Sequence, residues 1–134
     1  CEALVRLQQM GVARWMLSSA LTLVVAQRLV RKLCPHCRRL FDDPIRLPPA
    51  WYPMPLPRWQ AVGCEHCYHG FYGRAALFEV LTITAELRHQ IANDASAATL
   101  ETYAKQAGMS TLFESGCRCG CAECSTEWLC LYLG

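Results

Sequence analysis

Four of the chain's ten cysteines stand in two pairs, Cys34/Cys37 and Cys64/Cys67, with two residues inside each pair and 26 between them. No other feature constrains the fold as strongly. A tight turn across two residues aims both sulfurs at one point, and two such turns supply the four ligands of a closed tetrahedral zinc site. The spacing is slightly longer than in the most familiar ribbons. Arg31, Lys32, Arg38 and Arg39 flank the first pair. Their charge favours the thiolate form and offsets part of the negative charge of a four-sulfur site. Structural zinc contributes about 10–16 kcal/mol in small peptides near neutral pH. Loop closure costs far less, because it grows only logarithmically with length. The expectation is therefore one structural Zn2+ on Cys34, Cys37, Cys64 and Cys67, holding a loop that buries no core. Paired disulfides and metal-free thiols remain the alternatives. His36, His66 and His69 are read as lying beside the metal or in solvent, since four thiolates already close the site.

The remaining cysteines are distributed differently. Five lie within residues 117–134, and Cys1 stands alone. Small secreted domains spread their disulfides through the chain, and no charged segment with a cleavage site opens this sequence. The reading is a reducing, cytoplasmic compartment. The net charge of +2 is too small to argue for a nucleic-acid or membrane partner. The chain begins at Cys1, and residues 2–7 already have the pattern of an amphipathic helix. A fragment of a longer protein is expected on that basis.

Residues 2–10 predict a short helix ended by Gly11. Residues 15–26 are nearly all apolar, yet too few for a helical membrane span, which needs about 20. A buried core helix is expected there instead. A second helix is predicted to start at Ser18 or Ser19 and to place Leu21, Val24, Val25, Leu29 and Leu33 on one face. Arg28, Arg31 and Lys32 would then complement its C-terminal dipole. Six prolines between residues 44 and 57 exclude regular helix and central strand from residues 42–58. That segment reads as the loop joining the two cysteine pairs, with a polyproline-type ligand as the lesser reading. Residues 72–83 predict a strand. Helices follow near Ala85–Ala92 and 97–107, with Ser96 as cap and Gly108 as stop.

Several local motifs stand together here. They are Gln27-Arg28-Leu29 running into Cys34/Cys37, then Cys64/Cys67 followed by Gly70-Phe71-Tyr72-Gly73-Arg74 and Phe78-Glu79. This combination resembles the C-terminal part of the secretion ATPases that assemble type IV pili and type II pseudopili, the GspE/PilB superfamily, and most nearly its HofB-like branch. The resemblance covers residues 2–116. It implies an α/β parent, a RecA-like P-loop NTPase that works as a homo-hexamer, binds ATP and Mg2+ between subunits, and drives pilin assembly. The partner implied is an assembly platform at the inner membrane, and the location implied is cytoplasmic and peripheral to that membrane; no nucleic acid is expected. The family's Gly-Arg arginine approaches bound nucleotide, which makes Arg74 the one candidate for nucleotide contact. Phe71 stands where tyrosine is usual.

Departures from the family limit what the chain does alone. It contains no G-x-x-x-x-G-K-[S/T], and neither Lys32 nor Lys105 follows a glycine. Without a phosphate cradle it should not hydrolyse ATP alone, and no catalytic residue is assigned. The family continues beyond Leu112 as an amphipathic helix, whereas here Cys117, Cys119, Cys121 and Cys124 intervene. A second metal site, a diverged end or a reading-frame change would each account for that stretch, and it alone suggests a metal-storage or redox protein. A zinc-ribbon-like nucleic-acid module is the alternative function. It would need Arg38, Arg39, Arg58 and Trp51 or Trp59 on one face.

The expected organisation has four segments. Residues 1–33 end a RecA-like core, and 34–70 form the tetracysteine module with its Pro-rich loop. Residues 71–116 form a strand and helical subdomain, and 117–134 a divergent Cys-rich tail. The fragment itself is expected to be mostly α-helical, with a short β element beside the zinc module.

Overall fold

The computed structural model describes residues 1–122 and 124–125. Among them the elements run α1 (Glu2–Gln9), α2 (Arg14–Ala20), β1 (Leu23–Leu33), β2 (Arg39–Leu40), β3 (Trp59–Gln60), β4 (Phe71–Thr82), α3 (Ala85–Ala92), α4 (Ala97–Gln106) and α5 (Leu112–Ala122). Strand β1 pairs with β4, and β2 pairs antiparallel with β3. Two compact units share the chain. One joins residues 1–26 to 79–110, and the other joins residues 27–78 to the segment from 111 onward.

The first unit is built by helix faces closing on apolar side chains. Helix α1 stops where expected: Gly11 takes a φ of +96°, and the Val12 N–H reaches back to the Leu7 carbonyl at 3.1 Å. The Thr84 and Ser96 hydroxyls accept the N–H groups of Leu87 and Thr99, each at 3.3 Å, and so cap α3 and α4. Gly108 ends α4 with a φ of +96°. Leu4, Leu17, Leu87, Ile91, Leu100 and Ala104 bury together with Leu81 and Ile83 from the end of β4 onward. Arg88 donates to the carbonyl of Ser18 near the end of α2, where intrahelical donors have run out.

The second helix expected from Ser18 or Ser19 to Leu33 does not form. The Ser18 and Ser19 hydroxyls donate backward to the Trp15 carbonyl, at 3.1 and 2.7 Å, so they close the short helix α2 rather than open a new one. Residues 23–33 then extend as β1. Val24, Ala26 and Val30 lie towards the interior, while Leu23, Val25 and Leu29 are exposed. That is a two-residue period, and the β-branched valines fit it. The buried core helix expected over 15–26 forms only as far as Ala20, with Leu17 in the core but Trp15 70% exposed, and the rest extends as β1. Arg28, Arg31 and Lys32 therefore belong to a strand and complement no helix end. The β component is accordingly longer than expected, although helix still predominates among the described residues. The expected strand over 72–83 is β4. No helix among the described residues is long and apolar enough to cross a membrane.

Residues 42–58 hold neither helix nor long strand, as their prolines require. They are nevertheless pinched shut. Ile45 and Leu56 exchange N–H···O=C bonds at 2.8 Å in both directions. Leu56 is fully buried beside Val30, Leu77, Cys117 and Cys124, with Ile45, Leu47 and Tyr52 packed against that cluster. The expectation that this loop buries no core is wrong. Leu56 points inward as a member of the second unit's core, whereas Trp51 and Met54 stay exposed.

Candidate metal centre

The two cysteine pairs occupy matching turns at the ends of the long strands. Strand β1 runs into Cys34, whose N–H donates to the Gly70 carbonyl at 2.9 Å, just before β4 begins. The first turn closes through the Arg38 N–H on the Cys34 carbonyl at 3.0 Å. After the second pair, Tyr68 and Phe71 exchange backbone bonds of 2.9 and 3.1 Å around His69 and Gly70. Both central residues have positive φ, +54° and +93°, the pattern of a type I′ hairpin turn. Glycine is required at the second of them. A Cβ on Gly70 would lie 2.7 Å from the Ala61 Cβ and 2.8 Å from the Val62 nitrogen. The backbone at Gly70 therefore passes close against Ala61 and Val62, and its N–H donates to Cys67 Sγ.

All four sulfurs lie within 4.8 Å of one another, the only such group of possible metal ligands among the described residues. Cys34 and Cys64 are 3.8 Å apart, and the pairs Cys37–Cys67 and Cys64–Cys67 are each 3.7 Å apart. A tetrahedron with about 2.3 Å from zinc to sulfur has edges of about 3.8 Å. Those three spacings match such an edge, and the four sulfurs together could hold a metal ion. Gly63 N–H donates to Cys37 Sγ, and the N–H groups of Cys64 and Gly70 donate to Cys67 Sγ, each at 3.3 Å. Such donors stabilise thiolate.

The protonation pattern follows from this crowding. A backbone contact at His66 lowers the Cys64 thiol, but burial and hydrogen bonds with Cys67, Cys34 and Cys37 outweigh it and push Cys64 up to about 12. Burial also raises Cys67. There the backbone bonds from Cys64 and Gly70, with the sulfur contacts, prevail and bring it down to about 7. Without a cation one thiolate forms readily and the neighbouring sulfur keeps its proton, because adjacent negative charges repel. A divalent ion removes that repulsion, so a four-thiolate centre is the state a metal would stabilise.

The surrounding side chains have settled roles. His36 and His66 are exposed and stack at 4.9 Å between ring centres, and His66 lies 3.5 Å from Glu65. Neither histidine belongs to the sulfur cluster. Arg31 lies 3.8 Å over the Phe71 ring, Arg38 4.6 Å over Trp59 and Arg58 4.9 Å over Phe41. In the β2/β3 pair Leu40 faces Trp59 and Arg39 faces Gln60. By strand alternation Arg38 and Trp59 share one face, and Arg39 and Arg58 the other. Sequence reasoning gave no sign of these ring contacts, since each joins residues far apart in the chain.

Arg74 is exposed on β4, directly after Gly73, whose φ of +78° interrupts the regular strand. Helix α5 continues through Cys117 and Cys119 to Ala122, so the cysteines that break the family pattern do not break the helix. Cys117 is buried, and Cys119 is joined to Cys124 by a disulfide. Residues 123 and 126–134, on which part of the expectation for the Cys-rich tail rests, lie outside the described residues.

The family model for "Type II/IV secretion system protein" matches residues 1–128, and the chain belongs to that family. The match runs through both cysteine pairs, β4 and the Cys-rich stretch up to Cys124. The chain is 70% identical over 117 residues to the "Protein transport protein HofB homolog" of Escherichia coli K12, covering 87% of this chain and 25% of that protein. It is 36% identical over 122 residues to "Type IV pilus assembly ATPase PilB" of Acinetobacter baylyi, covering 86% of this chain and 21% of the relative. "Putative type II secretion system protein E" of E. coli K12 is 37% identical over 110 residues, with 78% and 22% covered. The chain thus spans about a quarter or less of the curated relatives it matches.

Proposed function

We propose that the chain is the C-terminal part of a hexameric, RecA-like secretion ATPase. The complete protein binds ATP and Mg2+ and hydrolyses the nucleotide to drive assembly of a type IV pilus or type II pseudopilus. It does so in the cytoplasm, against an assembly platform in the inner membrane. Within the chain, residues 1–33 complete the nucleotide-binding core and 34–70 form the zinc module. Residues 71–116 supply a strand and a helical subdomain, and 117–134 a divergent Cys-rich tail. The observation that carries the reading is the family match, unbroken from residue 1 across the tetracysteine centre.

The zinc is structural in this reading. It is held by Cys34, Cys37, Cys64 and Cys67 and fixes the hairpin from which β4 departs. Four sulfurs leave it no open position for water, so it takes no part in hydrolysis. Arg74 is the residue of this chain that contacts nucleotide, placing its guanidinium against phosphate charge in the complete motor. Gly73 supports that role, because its positive φ redirects the strand immediately before the arginine.

ATP hydrolysis by the full-length protein tests the assignment. Arg74→Ala should lower kcat by at least about tenfold, since a charge-assisted contact to the reacting phosphates is lost. Zinc content should stay at one ion per chain. Unchanged turnover in Arg74→Ala removes the nucleotide role. A complete coding sequence with no phosphate-binding loop removes the motor assignment altogether.

A further inference from the structure

Just after α5 the chain is tied to β1 by backbone pairing and to α5 itself by a disulfide. Cys124 forms an antiparallel bridge with Lys32 of β1, and the Ser125 N–H donates to the Arg31 carbonyl at 3.1 Å. The Cys124 N–H turns back to the Cys119 carbonyl at 3.2 Å, and Cys119 and Cys124 are joined as a disulfide across a Cα separation of 5.5 Å. Cys124 is 1% exposed and packs with Val30, Leu56 and Leu77, whereas Cys119 is only half-buried. The strand thus fastened carries Cys34 two residues after Lys32.

We propose that Cys119 and Cys124 form a reversible redox clamp that keeps Cys124 and Ser125 paired with the edge of β1. One bridge pair is a weak attachment by itself, because ordering several residues opposes it. The covalent link between α5 and Cys124 lowers that entropic opposition, so the redox state biases whether Cys124 and Ser125 stay paired. In a thiol-reducing compartment the resting form is the dithiol. The oxidant is a low-molecular-weight disulfide of the glutathione type. The accessible Cys119 thiolate attacks one of its sulfurs, breaking that S–S bond and releasing one small thiolate. The Cys124 thiolate then attacks Cys119 in the mixed disulfide and expels the second small thiol. Overall, two protein thiols lose two protons and two electrons, and one small disulfide becomes two thiols.

The test uses the zinc-loaded, full-length protein equilibrated over a range of reduced-to-oxidised glutathione ratios. Alkylation followed by peptide mass spectrometry reads the thiols, and hydrogen exchange reads the Ser125 amide. The expected result is a Cys119–Cys124 link that forms and reverses along the series. Exchange at Ser125 should slow by at least about tenfold upon oxidation, with zinc retained. Cys119→Ser should abolish both responses, and Cys1→Ser should leave both intact. The wild-type series decides the matter even if Cys119→Ser fails to fold. The clamp is overturned if the pair never links, if either cysteine pairs elsewhere, if zinc ligands oxidise first, or if the link forms without slowing Ser125.

Discussion

The two units of the chain solve the same problem with different materials. In the helical unit, eight buried residues from α1, α2, α3, α4 and the end of the β1/β4 ribbon form one apolar cluster. Its polar contributions are modest: caps at Thr84 and Ser96, and an exposed Arg14–Asp94 pair at 3.0 Å. The tetracysteine unit buries a smaller cluster, two of whose five members are cysteines. Its loop is rich in proline, and its four cysteine sulfurs cluster within 4.8 Å, with backbone N–H groups donating to Cys37 and Cys67. Apolar burial tolerates many sequences of similar volume, whereas a sulfur cage depends on each ligand. The first unit should therefore respond to damage gradually and the second all at once.

That contrast is sharpest on metal removal. A strong chelator, or Cys34→Ser, should eliminate bound zinc and the ordered structure of residues 34–70, an effect of several kcal/mol. The helices of the other unit should persist, with circular dichroism and zinc analysis read together. Because zinc displaces protons from sulfur, its affinity should fall as pH falls. Survival of the turns without metal would show that apolar burial sustains both units. Leu87→Ala, at a side chain with 0% exposure, should cost about 2–5 kcal/mol in thermal or denaturant unfolding while zinc stays bound. Zinc loss in that variant would mean that the units do not respond separately.

Gly70→Ala tests the sulfur cage without touching a ligand. Its φ of +93° and the close Ala61 and Val62 atoms should cost about 2 kcal/mol, read as weaker zinc binding in a competition titration. Full zinc affinity would imply that the hairpin moves freely. Ser96→Ala should have the smallest effect. Losing the 3.3 Å cap on Thr99 should cost about 1 kcal/mol of stability with no change in zinc affinity. A larger loss would mean that α4 depends on its cap more than on Leu100 and Ala104.

What was legible in the sequence was local or carried by a ligand set. Gly11 and Gly108 marked helix ends, Ser96 marked a start, and the two C-x2-C pairs pointed to four sulfurs that lie within 4.8 Å of one another. The failures lie where one sequence satisfies two periods. Residues 21–33 carry enough Leu and Val to draw a helical stripe, and Ser18 and Ser19 suit the final turn of one helix as well as the first turn of another. Pairing with β4 decides for the strand. Phe71–Thr82 offers a partner for the hydrogen bonds of Leu23–Leu33, and no local pattern encodes that partnership. The Pro-rich loop was misjudged similarly, since its composition excludes regular structure but does not reveal that Leu56 will be buried.

The amino-acid sequence alone determined the two cysteine pairs and their turn spacing, the end of α1, both ends of α4, and the lack of a phosphate-binding motif within residues 1–134. Those are properties of neighbouring residues, fixed by side-chain chemistry and backbone sterics over a few bonds. Only the tertiary structure decided that residues 23–33 are a strand, which cationic side chains lie over which rings, that Leu56 joins a core, and that Cys124 pairs with Lys32. Each of those depends on a partner many residues away, and burial or hydrogen bonding with that partner outweighs the local preference.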